Sequence, residues 1–370
     1  MTVPSSRRYP TAAELLARAR QATGLTDFGP GDFEVGLEVL LDSLERDADL
    51  HPSTDDAVIG ALHRRLVNRL QVEAWYAEHP EITDLPVRGP IDVCGLPRTG
   101  TTALGNMLSL DDRFRCLRLW EQVTPVPPPV LATEATDPRR LAAMEDNDAL
   151  PAEIHAMHIF EVDAASEDSD VLGMAFHGQQ FTLPVWGYHQ WWRQADLTDT
   201  YHYHRRVIRL LGSRRPPDLW LFKAPHHKFH LEAVVAAYPD VRFVMTHRDP
   251  AKVVPSYASI VSTYMPAPRT ERDLHRVGRE VAEHLRLGME NAIAARERLG
   301  PERFIDVHHR QLAADPLATV ASVYEQLGME FTPDHAAAIS AWHELNRTGA
   351  HGTHRYTPEQ FGVSASQLHA

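Results

Sequence analysis

The chain has 370 residues, 43% hydrophobic and 24% charged, a composition that excludes a disordered, collagen-like or disulfide-stabilised protein. Its 37 basic and 50 acidic residues give a formal net charge of −13, which argues against binding to nucleic acid or to an anionic membrane. An anion would therefore have to be held by a local site. With two cysteines, no apolar leader and no apolar run near the roughly 20 residues of a membrane span, the sequence predicts a cytoplasmic protein without a membrane span.

Apolar residues in the first part of the chain recur at helical spacing. Residues 11–80 carry leucines three and four positions apart, and residues 1–85 are expected to form a helical segment packed on the core. From residue 86 short apolar strands alternate with helices, which indicates a parallel sheet covered on both faces. Residues 86–370 are therefore interpreted as one α/β domain, with a mostly helical cap over residues 130–218. The predicted strands are 91–95, 219–223, 241–245 and 304–307, and the helices beside them are 101–110, 228–238, 251–264 and 317–327.

A loop rich in Gly and Thr joins the first predicted strand to its helix. It reads Gly95-Leu96-Pro97-Arg98-Thr99-Gly100-Thr101-Thr102. Such a junction directs backbone N–H groups and a helix N-terminus at an anion. Its spacing is close to that of a nucleoside-triphosphate loop, but Thr101 stands where that loop has Lys, and the cation is Arg98. The later predicted strands also run into Lys223, His247 and the pair His308-His309, and none runs into an Asp that could help to hold Mg²⁺. The loop indicates a phosphate-like group held by protein cations without a metal, and a chance strand-to-helix turn is the alternative.

A second strand–helix junction follows the strand at 241–245. Asp249 can cap the next helix and Pro250 suits its first turn. Arg248 would then lie at the carboxyl end of the strand, and Ser256 about two turns into the helix. An arginine fork and a hydroxyl from one junction can hold a second phosphate. The alternative is a surface pair between Arg248 and a neighbouring aspartate, which two such junctions in one sheet make less attractive.

The two motifs resemble those of sulfotransferases. The loop at 96–102 resembles their 5′-phosphosulfate-binding loop, and its use of arginine is closest to the tyrosylprotein and bacterial branches. Arg248 with Ser256 matches the 3′-phosphate pair of the family in type and spacing. Segments 311–316 and 351–362 are similar to a late strand–loop–helix element and to a C-terminal signature of bacterial members.

This resemblance spans about residues 85–365, and it implies a P-loop-like parallel sheet with 3′-phosphoadenosine-5′-phosphosulfate (PAPS) as donor. Many members have Tyr near the adenine where this chain has His309. The residues implied to bind the donor are Arg98, Thr99, Gly100, Thr101, Thr102, Arg248, Ser256, His309 and Arg355.

Sulfuryl transfer needs cations on the transferring group and a base for the acceptor. Arg98 suits the first task, together with Lys223, which matches the lysine that sulfotransferases carry at this strand end. Two bases stay open. Glu121 lies near the position of the catalytic glutamate of tyrosylprotein sulfotransferases, and desolvation beside a tryptophan would raise its pKa. His226 resembles the catalytic histidine of cytosolic sulfotransferases, displaced by one residue, and Glu121 is slightly favoured because Pro225 occupies the aligned position.

The expected acceptor is a small, lipophilic alcohol or phenol. The aromatic residues of 184–203 could wall its pocket or form the core of the cap. We expect no metal, because among the histidine pairs considered only His226 and His230 have helical ligand spacing, and they lack the Glu of a metalloprotease motif. A nucleotide-dependent kinase with a divergent P-loop and a non-enzymatic nucleotide-binding module are the alternatives, and a homo-oligomer stays open.

Overall fold

The structure is a computed structural model that describes residues 7–149, 161–346 and 355–368. Its first elements are the helices α1 (Ala12–Thr23), α2 (Phe33–Asp47) and α3 (Asp55–Glu78). Helix α1 begins with a capping box built on Thr11 and ends at Gly24, whose φ of 71° provides a left-handed C-cap. The predicted helical character of residues 11–80 is confirmed.

Five parallel strands form a single sheet in the order β2-β3-β1-β4-β5. They are β1 (Ile91–Gly95), β2 (Phe114–Cys116), β3 (Leu219–Lys223), β4 (Arg242–His247) and β5 (Phe304–His308). The predicted α/β class is confirmed. The sequence missed β2, because three residues that include an arginine give no periodic signal.

Helices cover both faces of this sheet. The predicted helix at 228–238 is shorter than expected, because a 3₁₀ helix (Pro225–Phe229) precedes it and His230 interrupts it with a φ of −138°. A long helix at 274–299 was not predicted. The helices after α3 are α4 (Thr101–Ser109), α5 (Leu119–Val123), α6 (Pro138–Asp148), α7 (Ser169–Gly173), α8 (Trp186–Trp192), α9 (Thr198–Gly212), α10 (Leu231–Ala237), α11 (Pro250–Tyr264), α12 (Leu274–Leu299), α13 (His309–Ala314), α14 (Pro316–Leu327), α15 (Pro333–Leu345) and α16 (Ala365–Leu368).

Alternating strand side chains build two separate hydrophobic clusters on the two faces of the sheet. On one face Phe222 and Phe243 pack with α9, α10 and helices α1 to α3. On the other face Val93, Leu221 and Val244 pack with α4, α14 and α15. In the part of the chain that the structure describes, no helix is both long and apolar enough to cross a bilayer.

The order of the strands indicates where a ligand-binding crevice would lie in this sheet. Strand β1 lies between β3 and β4, and the chain leaves β1 toward β2 but leaves β4 toward β5, on the opposite side. In an open parallel sheet the crevice at the carboxyl ends of such a strand pair is the usual ligand site. The loops that follow β1 and β4 meet there.

Candidate active site

The loop after β1 is built around two glycines with positive φ. Gly95 has a φ of 121°, and a Cβ there would lie 2.5 Å from the backbone oxygen of Thr246. Gly100 has a φ of 98°, and its Cβ would lie 2.9 Å from Leu312 Cδ2. Only glycine fits such backbone without strain. The loop therefore passes close against β4, and Gly100 serves as the N-cap residue of α4, whose first residue is Thr101.

Arg98 and the second junction come together at this loop. Arg98, with a φ of 63°, donates from Nε to Ser256 Oγ at 3.2 Å. Arg248 donates from Nη1 to the Arg98 carbonyl oxygen at 2.9 Å. Burial lowers the pKa of Arg98, and Arg248 acts in the same direction against the opposing effect of Tyr356. Two guanidinium groups held this close favour an anion between them.

The second junction has the predicted local structure. The Asp249 side chain accepts from the Ala251 N–H at 2.9 Å and caps α11, which begins at Pro250. Arg248 forms no ion pair with a carboxylate within the described ranges. The surface pair considered as an alternative is therefore not what the structure shows there.

Lys223 ends β3 next to the loop. Only 2% of its surface is exposed, and its Nζ lies 3.7 Å from Glu167 Oε1. Helix α4 makes room for the lysine, since a Cβ on Gly105 would lie 3.0 Å from Lys223 Cγ. The Glu167 side chain is 39% exposed, so this pair combines a buried cation with a carboxylate that solvent or a substrate can reach.

These groups open into a cavity of about 970 Å³. Its polar lining includes Arg98, Thr101, Thr102, Lys223 and Glu167, and further charged residues that line it are Arg139, Asp146, Glu161 and Asp170. The apolar wall comes from α5, α6 and α11 and from the chain before α7. Its members are Leu119, Trp120, Val123, Ala142, Ala143, Val162, Tyr257, Ile260 and Tyr264.

The aromatic residues of 184–203 were expected either to wall the acceptor pocket or to form the core of the cap, and the structure places them in core. Tyr188, Trp192, Tyr201 and Tyr203 are buried in the cluster that joins the cap to the N-terminal helices. Trp186 packs in a separate cluster with α11 and α12. Among the residues described, none of these lines the cavity, so they form core.

Glu121 lies in a different environment from the one expected. Its fully buried carboxylate lies 2.9 Å from an Arg115 nitrogen and 3.2 Å from an Arg118 nitrogen, and it also accepts from the Arg118 backbone N–H. Burial alone would raise the pKa of Glu121, but the two arginines hold it below its ordinary value. The expectation of a raised pKa is wrong, because the sequence could not show that β2 delivers Arg115 to this carboxylate. Glu121 ties α5 to β2 and does not face the cavity.

His226, the second candidate base, is also enclosed. It is 4% exposed, and its Nε2 lies 3.1 Å from Asp168 Oδ1. It lies behind the cavity wall, to which its neighbours Lys223 and Pro225 contribute.

Thr99, His309 and Arg355, which were expected to bind the donor, have three different environments around the loop that follows β1. The Thr99 hydroxyl is buried against the Leu96 carbonyl and Thr246, so this side chain braces the loop. His309 reaches within 3.7 Å of the Cβ position on Gly100, and burial followed by the charges of the two loop arginines lowers its pKa. Arg355 is exposed in a second depression beside the start of α11. The rest of the expected C-terminal signature, residues 351–354, lies outside the described residues.

Sequence reasoning missed Glu167 and the aromatic wall of the cavity. Tyr257, Ile260 and Tyr264 repeat at helical spacing on α11, directly after Ser256, so their shared face could have been predicted. Glu167 carries no such signal, since it lies in an irregular segment before α7.

Comparison with known proteins identifies the class. Residues 90–333 match the profile of the sulfotransferase family. The chain is similar to the sulfotransferase STF9 from Mycobacterium avium, with 29% identity and a TM-score of 0.88 over 100% of this chain and 95% of that chain. It is also similar to the sulfotransferase STF1 from Mycobacterium tuberculosis H37Rv, with 28% identity and a TM-score of 0.84 over 98% of both chains. No curated protein gives a significant match. The resemblance drawn from the loop motifs is thereby confirmed, and this chain belongs to the sulfotransferase family of transferase enzymes.

Proposed function

We propose that the protein transfers a sulfuryl group from PAPS to the hydroxyl of a small lipophilic alcohol or phenol. The observation that carries the proposal is that three cationic side chains lie at the carboxyl ends of three neighbouring strands. Arg98, Lys223 and Arg248 follow β1, β3 and β4, and the first two also line the cavity. Membership of the sulfotransferase family disfavours the kinase and the non-enzymatic alternatives.

The two junctions suit the two phosphate positions of the donor. The 5′-phosphosulfate would lie on the backbone N–H groups of residues 98–102 at the start of α4, with the Thr101 and Thr102 hydroxyls beside it. The 3′-phosphate would lie on Arg248 and Ser256, which Arg98 already connects to the loop. His309 is near enough to the loop to contact the nucleoside, and we assign Arg355 to the outer side of this site. Charge-assisted hydrogen bonds to phosphate are the strong ones in such a site.

Glu167 replaces Glu121 and His226 as the proposed base, because it alone of the three lines the cavity. The acceptor oxygen attacks sulfur as its proton passes to the Glu167 carboxylate. The bond from sulfur to the bridging oxygen of the donor breaks, and 3′-phosphoadenosine 5′-phosphate (PAP) leaves with the electron pair. Lys223, 3.7 Å from Glu167, and Arg98 stabilise the charge that develops on the bridging and sulfuryl oxygens.

The shape of the cavity supports the proposed acceptor class. A volume of about 970 Å³ is at the upper end of the ~300–1,000 Å³ range of small-molecule sites. Its lining divides into apolar side chains and polar ones, and the charged members are Arg98, Arg139, Asp146, Glu161, Glu167, Asp170 and Lys223. An aromatic or aliphatic body with one hydroxyl fits this division.

Thermal unfolding with PAP, with ATP plus Mg²⁺ and with AMP tests the donor. A ligand that binds only the folded chain stabilises it by about 2.7 kcal/mol at 100 times its Kd. We expect the large shift with PAP, no comparable shift with AMP, and a clearly smaller PAP shift in Arg248→Ala. Arg279→Ala, which removes an exposed arginine from α12, is the matched control and should keep the shift. A shift with Mg²⁺-ATP alone would contradict the proposed donor.

The acceptor class is tested separately by PAP release from PAPS in the presence of p-nitrophenol and of a series of aliphatic alcohols. Turnover with at least one of them is expected. PAP binding without turnover on any member of the series would leave the donor assignment intact and overturn the acceptor class.

A further inference from the structure

Behind the wall of the cavity, two histidines and an aspartate form a buried group that the proposed reaction does not use. Asp168, His226 and His227 are 0%, 4% and 0% exposed, and they are called the Asp–His cluster below. Asp168 directly precedes α7, and the two histidines lie in the 3₁₀ helix after β3. The cluster therefore joins the segment that carries Glu167 to the segment that carries Lys223.

The polar atoms of the cluster converge at close range. His226 Nε2 lies 3.1 Å from Asp168 Oδ1, and His227 Nε2 lies 2.8 Å from Asp168 Oδ2. One ligand atom from each residue lies within 4.8 Å of the others. All four atoms are buried, and none of them forms a hydrogen bond of good geometry. Orphaned buried polar atoms are costly, and atoms that lie close but do not point at one another have the arrangement of ligands around a shared centre.

The surroundings of the cluster also match those of a metal site. His227 Nδ1 lies 2.9 Å from the buried Asp92 Oδ2, the carboxylate–histidine contact that orients metal-binding imidazoles. His204 Nε2 lies 3.1 Å from the Asp168 carboxylate, and its Nδ1 lies 2.6 Å from the Tyr238 hydroxyl. A third imidazole is therefore adjacent and oriented through its other nitrogen.

The charges of the cluster require compensation. Asp92 and Asp168 are both 0% exposed, and an uncompensated buried charge is strongly unfavourable. The ion contacts of these two carboxylates among the described residues all come from imidazoles. A divalent cation bound at this cluster would balance the charge of both carboxylates.

We propose that Asp168, His226 and His227 bind one divalent transition-metal ion, with His204 as the nearest candidate for a fourth ligand. Imidazole nitrogen with a carboxylate oxygen is a donor set that Zn²⁺ accepts in tetrahedral sites. The ion lies outside the cavity. It fixes the segment that carries Glu167 against the segment that carries Lys223. The expectation of a metal-free protein considered the spacing of His226 and His230. The carboxylate ligand proposed here, Asp168, comes from a distant part of the chain, so sequence spacing could not indicate it.

Metal content is the direct test. The protein is purified with a tag that contains no histidine, equilibrated with Zn²⁺ and gel-filtered, and its zinc is measured by mass spectrometry. We expect one equivalent per chain, lost in His226→Ala and in Asp168→Asn. His202→Ala, an exposed histidine on the same helix as His204, should keep the full equivalent. A folded wild-type chain without stoichiometric zinc, or variants that keep it, would overturn the proposal.

A second measurement does not depend on whether the variants fold well. Chelation should lower the Tm of the wild-type protein, and added Zn²⁺ should restore it, because a ligand of the folded state alone stabilises that state. Co²⁺ bound in place of Zn²⁺ should show visible absorption that Zn²⁺ abolishes. An unchanged Tm after chelation would reject the metal and leave an imidazolium of His227 between Asp92 and Asp168. Neither measurement uses PAPS, so the result stands apart from the proposed function.

Discussion

Replacement of Glu167 by Gln separates chemistry from binding and from folding. The substitution keeps the volume of the side chain and removes its ability to accept a proton. A positioned general base contributes roughly 10²–10⁴-fold, which corresponds to about 2.7–5.4 kcal/mol at about 1.36 kcal/mol per factor of ten. The contact with Lys223 spans 3.7 Å and the carboxylate is 39% exposed, but the lysine itself is 2% exposed, so loss of its partner charge should also lower the stability of the fold. A large loss of kcat in a variant that still folds and still binds PAP is therefore the expected signature.

The assay follows PAP release from PAPS with a phenolic acceptor such as p-nitrophenol. Glu167→Gln should lower kcat by 10²–10⁴-fold and leave PAP affinity unchanged. Glu232→Gln, the same substitution in an exposed ion pair with Arg298, should match the wild type in both. Wild-type kcat in Glu167→Gln would refute the proposed base, and a loss of PAP affinity would move this residue to donor binding.

Three further substitutions test the other assignments. Arg248→Ala should weaken PAP by about 1.5–3 kcal/mol in calorimetry and leave AMP binding unchanged, and equal losses for both ligands would contradict the 3′-phosphate assignment. Glu121→Gln should destabilise the fold by up to ~3–5 kcal/mol in denaturant unfolding, because it breaks a buried ion pair, while turnover per folded molecule is kept; slow turnover in a stable variant would restore Glu121 as a candidate base. Hydrogen bonds from Arg113 and Tyr324 outweigh burial and lower the pKa of Asp111 to about 2, below its ordinary ~3.9. Its ionised form thus stabilises the fold above about pH 4, and this contribution is lost as pH falls toward 2. Asp111→Asn should flatten the acid side of the stability profile, and an unchanged slope would refute this.

Local chemistry accounts for what could be predicted at the donor site. Glycines with positive φ and an Asp–Pro helix start act within a few residues, and the structure has them at Gly95, Gly100 and Asp249. The parallel sheet then brings the ends of β1 and β4 together, so two motifs far apart in sequence could be assigned to one crevice. The donor roles of these residues stay a proposal.

The proposed base could not be chosen in this way. Glu121 and Glu167 are both glutamates in segments that contribute to the cavity wall. They differ in the residues with which their carboxylates form ion pairs. Arg115 and Arg118 enclose Glu121, whereas Glu167 contacts Lys223, and both of these residues line the cavity. No pattern in the sequence encodes those pairings, because they join β2 to α5 and an irregular segment to β3.

The sequence by itself determined the strand–helix alternation, the two strand–helix junctions and the family, since each depends on the order and type of neighbouring residues. The tertiary structure alone decided that Glu167 and not Glu121 lines the cavity, which aromatic residues form core, and that Asp168 contacts His226 and His227. Burial and long-range contacts set the charge state and the accessibility of a side chain. These properties arise only once the chain has packed.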